Sequence, residues 1–167
     1  MRRRLPRLLL ASLLLAGPPQ VTAAEGAPLR PDRVYLPFAS HHTMPASRYG
    51  RDRWEEVNPG LILGWEDRGP GRLFDLGAGV IRNSHGIVAP TLSLGVSAPL
   101  TGRAEVGLTG SLVYYGGDGD IFDGHVGGGV FLVPALQARY GNAFAQLIPA
   151  SGGPVLLFGL TFPIGTR

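Results

Sequence analysis

The chain has 167 residues, 26 of them glycine and 15 proline, with no cysteine and a formal charge of +3. That length suits one domain; the absent cysteines exclude a disulfide-stapled scaffold, and an apolar content of 44% excludes a disordered chain. The basic balance is no argument for nucleic acid: Arg2, Arg3, Arg4 and Arg7 belong to a targeting segment, and the rest sets 11 arginines against 12 acidic groups.

Residues 1–24 read as a cleaved Sec-type signal peptide. MRRRLPR supplies the basic start, LLLASLLLA the short apolar run and VTAA the small residues before cleavage. The apolar run is far shorter than the roughly 20 residues of a spanning helix. Residues 25–33 form a short periplasmic lead, and 34–167 the folded domain.

No helical periodicity follows. Runs of alternating character, bounded by Gly, Pro, Asn or Asp, recur at 34–42, 60–66, 72–83, 88–98, 103–115, 124–139, 142–149 and 154–162. In RAEVGLTGSLVYY (103–115), Ala104, Val106, Leu108, Leu112 and Tyr114 alternate with Arg103, Glu105, Gly107, Thr109 and Ser111. This is the period of a strand with one aliphatic face. A soluble sandwich would bury such faces between sheets; a membrane barrel would turn them to lipid. Three features favour the barrel: opposite faces that are small and polar, connections that are alternately long and short, and export without a spanning helix. The expected fold is all-β, a small antiparallel transmembrane β-barrel of about eight strands with up-and-down topology. Its expected location is the bacterial outer membrane.

With the N-terminus in the periplasm, the first and third strands both end on the outer rim, separated by one strand. Ser40-His41-His42 and Arg82-Asn83-Ser84 then become neighbours. A serine hydroxyl needs a base to take its proton, commonly imidazole, and a third group to orient that base. The competing reading is turn chemistry: Asn83 and Ser84 close a turn, and His41, His42 and His85 are solvated. The run DGDIFDGH, with Asp118, Asp120, Asp123 and His125, lacks the full spacing of a calcium loop and reads as a solvated loop.

Proline also falls inside or beside strands, where it cannot donate to the ladder. Pro37 and Pro59 lie on the adjacent first and second strands, Pro134 and Pro149 on the adjacent sixth and seventh. Each pair weakens one seam of the wall, as sideways access for lipid chains would require; bulges that curve the wall are the alternative.

YLPFASHHT (35–43), RDRWEEVNPGLILGWEDRG (51–69), GVIRNSHG (79–86), LVPALQARYG (132–141) and LIP (147–149) together resemble the lipid A palmitoyltransferase family, PagP. The resemblance is diffuse in identity and runs in order over most of the mature chain. NPG (58–60) and RNS (82–84) also look like a related group of small exported barrels. The PagP likeness implies a monomeric outer-membrane acyltransferase without a cofactor, moving a palmitoyl-like chain from a phospholipid donor to lipid A. It places the essential histidine on His42, the essential serine on Ser84, and the lateral lipid entrances on Pro37, Pro59, Pro134 and Pro149. The family's Asp-Ser pair reads Asn83-Ser84 here, with Asn83 expected to orient the base. The family's N-terminal helix has no counterpart in 25–33. Lumen-facing Gly77, Gly79 and Gly107 are expected to leave room for the acyl chain. The alternative is a non-catalytic barrel with a structural or lipid-binding role; a pore is disfavoured because side chains largely fill an eight-stranded interior.

Overall fold

Alternating strands joined by tight turns can bury one face without a second sheet only by closing on themselves. A computed structural model describes residues 30–116 and 124–164, leaving the signal peptide, most of the lead and the aspartates of the DGDIFDGH run outside. Its strands are β1 (Arg33–His42), β2 (Gly60–Arg68), β3 (Phe74–Arg82), β4 (Val88–Pro99), β5 (Ala104–Tyr114), β6 (His125–Gly127), β7 (Val130–Tyr140), β8 (Ala143–Ile148) and β9 (Val155–Pro163). Neighbours run β5-β4-β3-β2-β1-β9-β8-β7, and β5 pairs with β7 to close the ring. The result is an up-and-down antiparallel barrel of eight strands, with β6 an extra short strand on β7. Closure leaves the ring no exposed edge. The expected single strand at 124–139 is instead a hairpin. Gly128 and Gly129 take φ of 56° and 78°, left-handed values that a turn needs and side chains resist.

The two faces of the wall differ as the alternation requires. Leu61, Leu76, Leu92, Leu94, Leu108 and Leu132 point outward and are exposed. Ser93, Thr109, Ser111, Val113, Val133 and Gln137 point inward and line a cavity of about 130 Å³. Among the described residues no helix is long and apolar enough to cross a membrane, which says nothing of strands.

The lumen lining is mixed along its length. Val113, Tyr115, Val133, Ile148, Val155 and Leu157 line it toward the rim beside Ser40, Thr91 and Ser111, and Ser97, Thr109, Gln137 and Gln146 line it toward the base beside Tyr35, Ile62 and Phe144. Below these a charge cluster closes the base. Glu66 Oε1 accepts from Arg33 Nε at 2.7 Å, from an Arg139 guanidinium nitrogen at 2.6 Å and from the Tyr35 hydroxyl at 3.1 Å. Arg139 also pairs with Glu105, and Arg68 with Asp32 at 2.5 Å.

Two of the lumen glycines have another reason than room for a chain. A Cβ on Gly79 would stand 2.1 Å from the Leu61 carbonyl oxygen, and one on Gly107 2.6 Å from that of Val96. Backbone of the adjacent strand, drawn close by the sharp coiling of a small barrel, excludes the side chain. Gly79→Ala should therefore lower stability by about 1–3 kcal/mol, the usual cost of overpacking, read as a lower midpoint in urea titration of the detergent-refolded protein.

Candidate functional site

One residue of slippage in β1 decides which histidine enters the barrel. Along β1, Tyr35 and Pro37 face the lumen, so plain alternation would next turn Ala39 and His41 inward. A bulge between Pro37 and Ala39 in the pairing with β9 shifts that parity. Ser40 and His42 consequently point in and are buried, while His41 is exposed. Outside, His41 Nδ1 lies 3.4 Å from a Glu56 carboxylate oxygen, both side chains largely solvated.

His42 is held by stacking. Its ring lies 4.5 Å from that of Trp54, nearly parallel at 15°. Trp54 also meets Tyr49 at 5.7 Å, tilted, and His85 at 5.8 Å, stacked, and His85 meets Tyr115 edge-on at 5.5 Å. Trp54 Nε1 donates to the Met44 carbonyl at 2.9 Å, which anchors the rim segment between β1 and β2 over the cavity mouth. Tyr49, from the short 3-10 helix Ala46–Tyr49, donates to the Ser151 carbonyl across the mouth.

The segment after β3 is a turn in which Asn83 does most of the bonding. Its Oδ1 accepts from the backbone N–H groups of His85 and Ile87, each at 3.0 Å. Its own N–H donates to the Ile87 carbonyl, and its carbonyl accepts from Gly86, whose φ of 78° completes the turn. Turn chemistry is therefore what Asn83 Oδ1 performs, and that oxygen does not orient His42. Ser84 follows on the same turn, its carbonyl accepting from the Glu55 N–H at 3.1 Å.

The structure brings His42, Asn83 and Ser84 to the mouth of one cavity. No hydrogen bond joins His42 to Ser84: both ring nitrogens of His42 are buried without a protein partner. Ser40 Oγ, Asn58 Oδ1 and Asn83 Nδ2 are buried and equally unpartnered, and all three residues line the same cavity. Unsatisfied buried polar atoms cost about 1–3 kcal/mol each. Several converging on one mouth are the mark of a site built for a polar ligand group.

The proline seams are interrupted where expected. Between β1 and β2 the ladder runs only from Arg33↔Gly64 to Tyr35↔Ile62, and pairing resumes at the Ala39↔Val57 bridge. The gap falls at Pro37 and Pro59. Between β7 and β8 the ladder stops at Leu136↔Leu147, just below Pro134 and Pro149.

Sequence reasoning missed Trp54, and it gave Ser40 and Asn58 no role. A lone tryptophan among the charges of RDRWEE is the one signal that marks Trp54. Ser40 and Asn58 carry no pattern, since their burial depends on the bulge and on Asn58 donating to the Phe38 carbonyl. Among the described residues no three potential ligands gather as a metal site.

The chain matches no family model and no curated protein. Its own geometry must carry the functional reading.

Proposed function

We propose that the protein is an outer-membrane acyltransferase that moves a fatty acyl chain from a phospholipid to lipid A. The observation that carries this reading is the cavity mouth. Buried His42 and half-buried Ser84 share it with unpartnered polar atoms, above a largely apolar chamber with an interrupted seam on each of two sides. The outward aliphatic faces supply the lipid-facing belt of a membrane barrel.

In this reaction a hydroxyl adds to the ester carbonyl carbon of the donor as its proton passes to a ring nitrogen of His42. The carbonyl electron pair moves to oxygen. The tetrahedral adduct then collapses, re-forming the carbonyl and expelling the glycerol oxygen, which takes the proton back from His42. The products are the new ester and a lysophospholipid. A lipid A hydroxyl steadied by Ser84 gives the acylated lipid A in this one step; where Ser84 Oγ attacks instead, the acyl-serine ester is opened in a second identical step by a lipid A hydroxyl, which expels Ser84 Oγ and returns its proton through His42. Apolar burial holds the chain at about 0.8 kcal/mol per methylene.

Expression in a host with defined lipid A tests this. The expected result is a new lipid A species heavier by one fatty acyl group, under conditions that bring phospholipid into the outer leaflet. An unchanged lipid A profile would overturn the reading. The second reading, a non-catalytic lipid-binding barrel, is favoured by the missing His42–Ser84 hydrogen bond and by the commitment of Asn83 Oδ1 to its turn.

A further inference from the structure

Beside the turn that carries Ser84 stands a guanidinium whose hydrogen-bond donors are unused. Arg82 ends β3, where the alternation that turns Leu76 and Val80 outward turns it outward too. Its backbone N–H donates to the Pro59 carbonyl at 2.9 Å, so it stands across one strand from the gap at Pro37 and Pro59. The guanidinium folds back over the turn. A Cβ built on Gly86 would stand 3.6 Å from Arg82 Nη2 and 4.0 Å from Glu55 Cγ, so both side chains rest on the face that this glycine leaves bare. Glu55 in turn donates its backbone N–H to the Ser84 carbonyl at 3.1 Å. Its carboxylate is shared: Arg82 Nη2 lies 4.0 Å from Oε2 and Arg53 Nη2 3.8 Å from Oε1. Neither separation is a hydrogen bond, and among the described residues the Arg82 guanidinium makes none. Glu56, the next carboxylate along, faces His41 instead. Arg53 is 83% exposed and Arg82 46%, so Arg82 is the one held close to the wall.

We infer that Arg82 anchors the phosphodiester of the phospholipid donor. The inference rests on the acyl-transfer reading above and names the residue that holds the donor headgroup there. A guanidinium presents N–H donors in a planar fork that matches two phosphate oxygens, and its charge strengthens each bond. Connectivity selects the donor over lipid A. In a phospholipid the phosphate and the ester to be opened hang from one three-carbon glycerol unit, so a phosphate held on the turn brings its ester to the same turn. The phosphates of lipid A sit at the far ends of a disaccharide, with no such short tether to an acceptor hydroxyl. The gap in the β1–β2 seam lies one strand away, so an acyl chain can lie in the lumen while its headgroup stays outside on Arg82.

The test uses the protein refolded in detergent, with lipid A as acceptor and two donors of the same acyl chains: a phosphatidylcholine and the diacylglycerol that lacks its phosphate. The wild type should prefer the phosphatidylcholine in kcat/KM by roughly 10–100-fold, the worth of a hydrogen bond to a charged group. Arg82→Gln should lose most of that preference through KM, with kcat nearly unchanged. Arg82→Lys, a point charge without the fork, should fall between. A preference unchanged in Arg82→Gln would overturn the anchor while leaving acyl transfer intact, as would a rise confined to the KM of lipid A. Binding is read separately by calorimetric titration with a short-chain diether phosphatidylcholine, which has the phosphate and no ester, after subtracting the heat in protein-free micelles. Its affinity should drop by about 10-fold or more in Arg82→Gln, and inorganic phosphate should bind neither protein measurably. Equal affinities of wild type and variant for the diether lipid would overturn the inference. Inorganic phosphate binding the wild type as tightly would also overturn it, by marking an anion site with no preference for lipid. Arg82-dependent binding by a wild type that acylates nothing would sustain the anchor and overturn the acyltransferase reading alone.

Discussion

Lipid A acylation should fall about 10²–10⁴-fold in His42→Ala, the range lost with a general base, and by a similar factor in Ser84→Ala. His41→Ala should stay near the wild-type level. The two histidines are adjacent in sequence and chemically identical, so the contrast isolates the effect of the β1 bulge. That bulge buries His42 against Trp54 and leaves His41 outside beside Glu56. The measurement is the mass profile of lipid A from membranes carrying equal amounts of each variant. Full activity in His42→Ala would sink the proton-transfer role. Loss in His41→Ala with retention in His42→Ala would mean that the strand sits one residue out of the register described.

A second large effect is expected at the opposite end. Glu66 is the acceptor at which Arg33, Arg139 and Tyr35 meet, with the Glu66, Arg33 and Arg139 side chains 9%, 15% and 12% exposed. Glu66→Ala leaves two guanidinium groups close together over a vacated carboxylate, with only Glu105 still pairing Arg139. Breaking a buried pair from one side costs about 3–5 kcal/mol, chiefly because the remaining charge is stranded. The expected result is a sharply lower urea midpoint in detergent micelles. Glu66→Gln, which keeps an accepting oxygen without the charge, should fall between. Arg72→Ala serves as the surface control: its partner Asp67 is 3.9 Å away and its side chain is 75% exposed, so the midpoint should hardly move. A Glu66→Ala midpoint equal to the wild type would show that the cluster closes the base without stabilising it.

These two regions also bring out how the expected site differs from the observed one. That the Ser40-His41-His42 and Arg82-Asn83-Ser84 clusters share a rim was legible from parity, because strands one and three must end at the same rim of an up-and-down barrel. The proline pairs were legible because a missing N–H has a local meaning, and both seams are interrupted where the pairs lie. The role of Asn83 was not. Whether its side-chain oxygen points at an imidazole or at its own loop amides depends on a turn whose φ values no spacing reveals. Gly79 was misread for a similar reason: a small residue facing a lumen suggests room, whereas the neighbouring strand backbone already fills that space.

Period-two alternation, turn residues at regular intervals and the absence of helical pattern were enough to determine an all-β closed barrel of eight strands, since side-chain period and chain connectivity are local properties. The tertiary structure alone decided which histidine faces in, which polar atoms lack partners at the mouth, and that charges close the base. A single-residue bulge inverts every side chain beyond it, and the pairing of Glu66 with arginines 33 and 73 residues away exists only once the ring has closed.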